Sequence, residues 1–184
     1  WTYALSPAIA GLIWALLTDP AIGFLTDVLA RFGIVFNWRR SQGDALIFIV
    51  MAAVWKILGY NILFFLAGLK QIPRDVIEAA SLDGANSWTR FWKMIFPLLM
   101  PMTLFLLIMN TLYASFETFG LIDITTQGGP GRATNVLVYN LYNDGFKSTS
   151  GIGLASAQSI ILLGIVAALT VFQYKFVSRR TFYQ

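Results

Sequence analysis

Neither cysteine nor histidine occurs among the 184 residues. Their absence removes disulfides, thiolate nucleophiles, imidazole bases and the common zinc sites from the chemistry this chain can offer. Charge is also scarce: 13 basic and nine acidic residues make up 12% of the chain, about half of the roughly 25% with which a soluble domain covers its surface. Apolar surface takes the place of charge. Hydrophobic residues account for 57% and aromatic ones for 15%, and mean hydropathy is +0.67. That composition excludes a disordered chain and disfavours a soluble enzyme; the solvent that suits it is lipid. The net charge of +4 is explained by membrane topology and needs no nucleic acid. The chain opens on Trp1 inside an apolar run, so it is expected to be the C-terminal portion of a longer protein.

A membrane helix needs about 20 mostly apolar residues to cross roughly 30 Å of hydrocarbon. The expected spans are residues 1–17, read as partial with Pro7 a tolerated kink, then 45–69, 98–122 and 151–174. Lys56 and Glu117 are the only charged residues inside them, which is the segregation lipid demands. The fold class that follows is all-α, a polytopic membrane helix bundle forming a single domain over 1–184, with no internal repeat. Seven basic residues flank one side, Lys70, Arg74, Arg90, Lys93, Lys175, Arg179 and Arg180, against five on the other, Arg31, Arg39, Arg40, Arg132 and Lys147. This bias favours a cytoplasmic loop 70–97 and a cytoplasmic C-terminus.

The connections on the other side carry structure of their own. Residues 24–36 mix apolar groups with Thr26, Asp27 and Arg31 at helical spacing; they read either as a short interfacial helix or as a loop packed on the bundle. Gln127-Gly128-Gly129-Pro130-Gly131 is a dense turn signal, and residues 136–142 after it can form a helix.

The loop at 70–97 is the most informative stretch. Pro73 suits a first helical position, and residues 74–82 then read as a short amphipathic helix. Gly84 can take the positive φ that ends it, and Ser87 can cap a second helix running toward Pro97. A bland connection between spans would be shorter.

Glu78-Ala79-Ala80, then Gly84 and Pro97, resemble the EAA loop of ABC importer permeases, whose pattern is EAA, three residues, G, nine residues, I, one residue, LP. Met94 and Phe96 stand where that pattern has Ile and Leu. Leu66-Ala67-Gly68-Leu69, Ile72-Pro73 and Gly128-Gly129-Pro130 are similar to the carbohydrate-uptake branch, the family of the maltose permease. The segments 60–65 and 139–146 are similar to its sn-glycerol 3-phosphate importer members. The resemblance implies a transport subunit, not an enzyme, in the bacterial inner membrane. It also implies a second permease subunit, cytoplasmic ATPase subunits and an extracytoplasmic substrate-binding protein as partners. ATP and magnesium would belong to the ATPase, and no cofactor to this chain, which lacks a Walker motif. Glu78, Ala79, Ala80, Asp83 and Gly84 would then dock the ATPase: the alanines permit close helix approach, Gly84 a sharp turn, and Glu78 offers a carboxylate.

Candidate pathway residues lie within the spans. Lys56 falls about 16 Å into its helix at 1.5 Å per residue, near the midplane, where a lysine must face a partner or water. Tyr60 shares its face and Asn61 lies close by. Asn110, Tyr113 and Glu117 share a helix face at i, i+3 and i+7, and Ser156, Gln158 and Ser159 are offered by the last span. Hydroxyls and amides suit a polyol, and Lys56 suits a phosphate. The same polar residues can instead join helices, and the stripes Gly153 with Ala157 and Ala155 with Ser159 read as packing. An ion-coupled secondary transporter or channel is the competing class, one that Lys56 and Glu117 could serve.

Overall fold

The computed structural model of the chain describes residues 1–73, Asp75, Glu78, Gly84, 86–149 and 151–181, with residues 178–181 described in backbone only. Ala79, Ala80 and Asp83 of the expected docking set lie outside the described residues. All regular structure among the described residues is helical. A 3₁₀ turn at Thr2–Ala4 precedes α1 (Pro7–Leu17), α2 (Phe24–Arg31) and the long α3 (Gln42–Lys70). Helix α4 (Ser87–Arg90) then leads through a π-turn at Phe91–Ile95 into α5 (Phe96–Leu98) and α6 (Met100–Leu112). A second π-turn at Tyr113–Glu117 precedes α7 (Thr118–Ile124), and α8 (Leu137–Tyr142) is followed by a third at Asn143–Lys147. The last helix is α9 (Ile152–Thr181). Three stretches are long and apolar enough to cross a membrane: Gln42–Lys70, Met100–Ile124 and Ile152–Val177. Their bounds lie within a few residues of three of the four expected runs, 45–69, 98–122 and 151–174, while Pro7–Leu17 is a shorter apolar helix.

Two local expectations are corrected. Pro7 does not kink a span but opens α1 at its first position, where its missing N–H breaks no helical bond. Ser6 caps that helix, its Oγ accepting from the Ile9 N–H at 3.3 Å. The cap of α4 is Asn86, not Ser87: Asn86 is extended at φ −67° and ψ 163°, and its Oδ1 accepts from the Thr89 N–H at 2.8 Å. An asparagine caps as well as a serine, so the helix starts at the first residue able to cap it.

The chain divides into two compact units. The first comprises residues 1–59 and 112–166. Its core joins Trp14 of α1, Trp38, and Ala45, Phe48, Ile49 and Ala52 of α3 to Leu121, Ile122 and Tyr139. Helices α1 and α7 approach so closely that a Cβ on Gly11 would sit 3.0 Å from the Leu121, Ile124 and Thr125 side chains. The connection between α1 and α3 is tied at several points. Trp38 donates its indole N–H to the Thr18 carbonyl at 3.0 Å and stacks on Phe48 with centroids 4.6 Å apart. Arg39 pairs with Asp19 at 2.8 Å, and the Asn37 N–H donates to Asp44 at 2.9 Å. Beyond α7, Thr134 donates to the Gly129 carbonyl at 2.9 Å and bonds Thr126 at 2.7 Å, closing the glycine-rich turn on itself.

The second unit comprises residues 60–111 and 167–184. Here the C-terminal half of α3 packs on α6: Tyr60, Phe64 and Phe105 form a row with centroids 4.5 and 5.3 Å apart. Gln173 of α9 donates to Thr111 of α6 at 2.7 Å. Where the third span begins, Trp88, Phe91, Trp92 and Phe96 form an aromatic cluster, the residue type expected where a helix enters a bilayer.

Candidate translocation site and coupling loop

In the first unit the buried lysine is the centre of the site. Lys56 is only 6% exposed, and a lone ammonium in such surroundings is costly. The structure answers with aromatic faces. The Lys56 Nζ lies 5.1 Å from the ring centroid of Tyr3 and 5.3 Å from that of Tyr113, two cation–π contacts that are worth about 2 kcal/mol or more each when desolvated. Among the described residues Lys56 forms no ion pair within salt-bridge distance, but the Glu117 carboxylate acts electrostatically on both Lys56 and Tyr113. The phenol oxygen of Tyr113 is buried without a hydrogen-bond partner among the described residues. It is a donor adjacent to a cation, which is the pairing an anionic oxygen would seek.

Helix geometry in this region departs from the simple spacing argument. Placing Asn110, Tyr113 and Glu117 on one face assumes an unbroken α-helix, whereas Tyr113–Glu117 is a π-turn. Its i→i+5 bonding widens the helix by one residue and moves Glu117 out of α-helical register with Tyr113. Glu117 is exposed, and Thr118 after it donates to the Ala114 carbonyl at 3.0 Å, a back-bond that favours bending. Tyr3 was not singled out from the sequence. It stands outside any helical period shared with Lys56, and only the packing of the first turn against α3 brings the two together.

In the second unit Asn61 and Asn110 form a reciprocal pair, Asn61 Nδ2 donating to Asn110 Oδ1 at 3.2 Å and Asn110 Nδ2 to Asn61 Oδ1 at 2.9 Å. Tyr60 packs on Phe64. The pathway candidates thus fall into two groups, Lys56 with Tyr113 and Glu117, and Tyr60 with Asn61 and Asn110. The polar residues of the last span are engaged locally: Ser156 and Ser159 donate to the Ile152 and Ala155 carbonyls, and Gln158 donates to Asp144 at 2.8 Å. That aspartate also accepts from Asn140, which accepts from Arg132, a network the sequence did not signal because its members come from three separate segments. Of the two small-residue stripes, Ala155 is buried, and a Cβ on Gly145 would touch it at 3.0 Å, while Gly153 faces open space.

Of the expected docking residues, Glu78 and Gly84 are described, as is Asp75 nearby. Asp75 and Glu78 are helical and exposed, and Gly84 lies in a turn at φ 74°, the left-handed conformation that favours glycine. At the root of this loop, a Cβ on Gly68 would come to 3.0 Å of the Leu99 side chain, so the end of α3 and the start of the third span meet closely there.

Comparison with known proteins places the chain in a family. Residues 4–183 match the family described as binding-protein-dependent transport system inner membrane component. The sn-glycerol-3-phosphate transport system permease protein UgpA of Rhizobium meliloti (strain 1021) is 50% identical over 183 residues, covering 100% of this chain and 62% of the relative. The protein of the same name from Yersinia pestis bv. Antiqua (strain Antiqua) is 45% identical over 184 residues, covering 99% of this chain and 61% of the relative. The chain therefore spans less than two thirds of the length of these relatives. Among solved structures, a bacterial alginate ABC transporter in complex with alginate pentasaccharide-bound periplasmic protein superposes with a TM-score of 0.82. It shares 19% identity and covers 98% of this chain and 63% of its own. At that identity the likeness shows the fold.

Proposed function

From the premise that the chain belongs to the family of binding-protein-dependent transport system inner membrane components, we propose that it is a permease subunit of an ABC importer for sn-glycerol 3-phosphate or a related carbohydrate. It works beside a second permease subunit. An extracytoplasmic binding protein delivers substrate on one side, and cytoplasmic ATPase subunits that hold ATP and magnesium dock on loop 70–97. The observation that carries this reading is the loop itself: Glu78 exposed on a helical turn and Gly84 at positive φ, between two stretches long enough to span a membrane. Such a loop can be pushed as a rigid body when the ATPases close, tilting the attached helices into the alternate orientation. The relatives named for glycerol-phosphate transport support the phosphate branch. So does a buried cation with a phenol donor beside it, since Lys56 with Tyr113 can neutralise a phosphate while amides and hydroxyls bind a polyol.

The test uses the full-length protein assembled with its partners in proteoliposomes. Glu78→Lys reverses the docking charge, and Gly84→Val forces a β-branched residue into the left-handed region at a cost of about 1–2 kcal/mol. Each is expected to reduce ATPase association or ATP-driven uptake of sn-glycerol 3-phosphate. Normal coupling in both variants overturns the assignment.

A further inference from the structure

The first unit carries an apolar surface that lies outside every span. Between the end of α1 and the start of α3, Ile22 is 81% exposed, Phe24 67%, Phe32 78% and Val35 88%. Single exposed hydrophobics are ordinary, but several in one short connection mark an interaction surface. The connection is held firmly while it shows these groups. Asp19 Oδ1 accepts from the Ala21 and Ile22 N–H groups at 2.9 and 3.4 Å, Arg39 binds its other oxygen, and Trp38 is anchored on Thr18 and Phe48. Leu25 and Phe36 pack against the core. Polar groups are thus spent on fixing the segment, and apolar groups are left facing out.

The surroundings identify what covers them. In α1 Leu12 and Leu16 are exposed, and in the first turns of α3 Leu46, Ile47 and Val50 are, so the apolar surface continues on both sides into helix faces suited to lipid. Its acidic groups are paired, Asp27 with Arg31 at 2.9 Å and Asp19 with Arg39 at 2.8 Å, and Arg40 is exposed at its C-terminal end. The Arg39 guanidinium lies over the Trp38 ring at 5.0 Å. Trp38 itself is buried; it is the exposed aliphatic and aromatic groups at the end of a helix, with arginines beside them, that suit the boundary between headgroups and acyl chains.

We propose that residues 22–35 form an interfacial anchor seated among phospholipid headgroups on the side where α1 ends and α3 begins. Ile22, Phe24, Phe32 and Val35 reach the acyl boundary, and the exposed Arg40 beyond them lies at the phosphates. The anchor holds the ends of two helices at a fixed depth while other parts of the protein move. A protein partner would satisfy the apolar groups but would not account for their continuity with the exposed apolar faces of α1 and α3.

The proposal is tested on the full-length protein with its partner subunits in phosphatidylethanolamine–phosphatidylglycerol vesicles. It carries an environment-sensitive fluorophore on Phe32→Cys or on Val35→Cys as the sole reactive cysteine. Both labels are expected to lose most of their emission to lipids brominated in the acyl chain and little to aqueous iodide. Strong quenching by iodide, showing a water-facing loop, overturns the proposal. Protection from both quenchers, showing burial against another protein chain, overturns it equally. Val35 is so exposed that its replacement leaves the packing intact, so its label decides the question even where that at Phe32 disturbs the fold.

Discussion

Lys56 shows how a single charged residue is made tolerable within an apolar helix. Two tyrosine rings replace the water its ammonium would otherwise need. If that cation receives the substrate phosphate, Lys56→Gln removes a charge-assisted contact worth about 1.5–3 kcal/mol. Uptake of sn-glycerol 3-phosphate then loses roughly tenfold or more in affinity, read from the substrate dependence of uptake. A variant that assembles normally and transports with unchanged rate and affinity removes Lys56 from the pathway. The Asn61–Asn110 pair makes a second residue-level claim. Its two hydrogen bonds join helices within one unit, and such pairs in membranes are coupled by about 0.6 kcal/mol, at most about 1.7. A double-mutant cycle with Asn61→Leu and Asn110→Leu, read as unfolding stability in detergent, should return a coupling of that size. Additivity of the two substitutions would show that the amides do not stabilise each other. The presence of a buried lysine could be read from the sequence. Its keeper Tyr3 could not, because that contact crosses between elements with no common period.

At the scale of elements, helix ends and irregular turns decide where side chains point. The helix leading into the third span starts at Asn86, whose amide oxygen serves the Thr89 N–H. Asn86→Ala is therefore expected to lower stability by about 1 kcal/mol, while Ser87→Ala at the position favoured by sequence alone leaves thermal unfolding nearly unchanged. The reverse order of effects would return the cap to Ser87. The π-turn at Tyr113–Glu117 matters more for the site, since it breaks the period on which the i, i+3, i+7 face depends. Long apolar runs announce helices reliably; a π-turn is one inserted residue paid for by neighbouring packing, and leaves no signature in hydropathy. Candidate residues could thus be chosen by type and depth, but their grouping had to come from the packed structure.

For the whole molecule, the distinction between an ATP-driven importer and an ion-coupled carrier rests on a loop rather than on the bundle. Reconstituted with its partners, the complex is expected to stop substrate uptake when ATP is withdrawn while an ion gradient is maintained. Continued uptake on the gradient alone would favour the carrier. The sequence by itself determined the helical membrane class, the three helices long and apolar enough to span a bilayer and the motif-bearing loop. Lipid leaves a helix no outside partner for its backbone, so each span must satisfy itself, and a local run of apolar residues suffices to specify it. It also made Gly84 legible, because the positive φ it adopts is a demand of its own backbone. Only the tertiary structure decided that Lys56 lies between Tyr3 and Tyr113, that two asparagines 49 residues apart meet, and that residues 22–35 turn their apolar groups outward. Those outcomes depend on the rotation of each helix about its axis, which is set by all its neighbours at once rather than by any one stretch of chain.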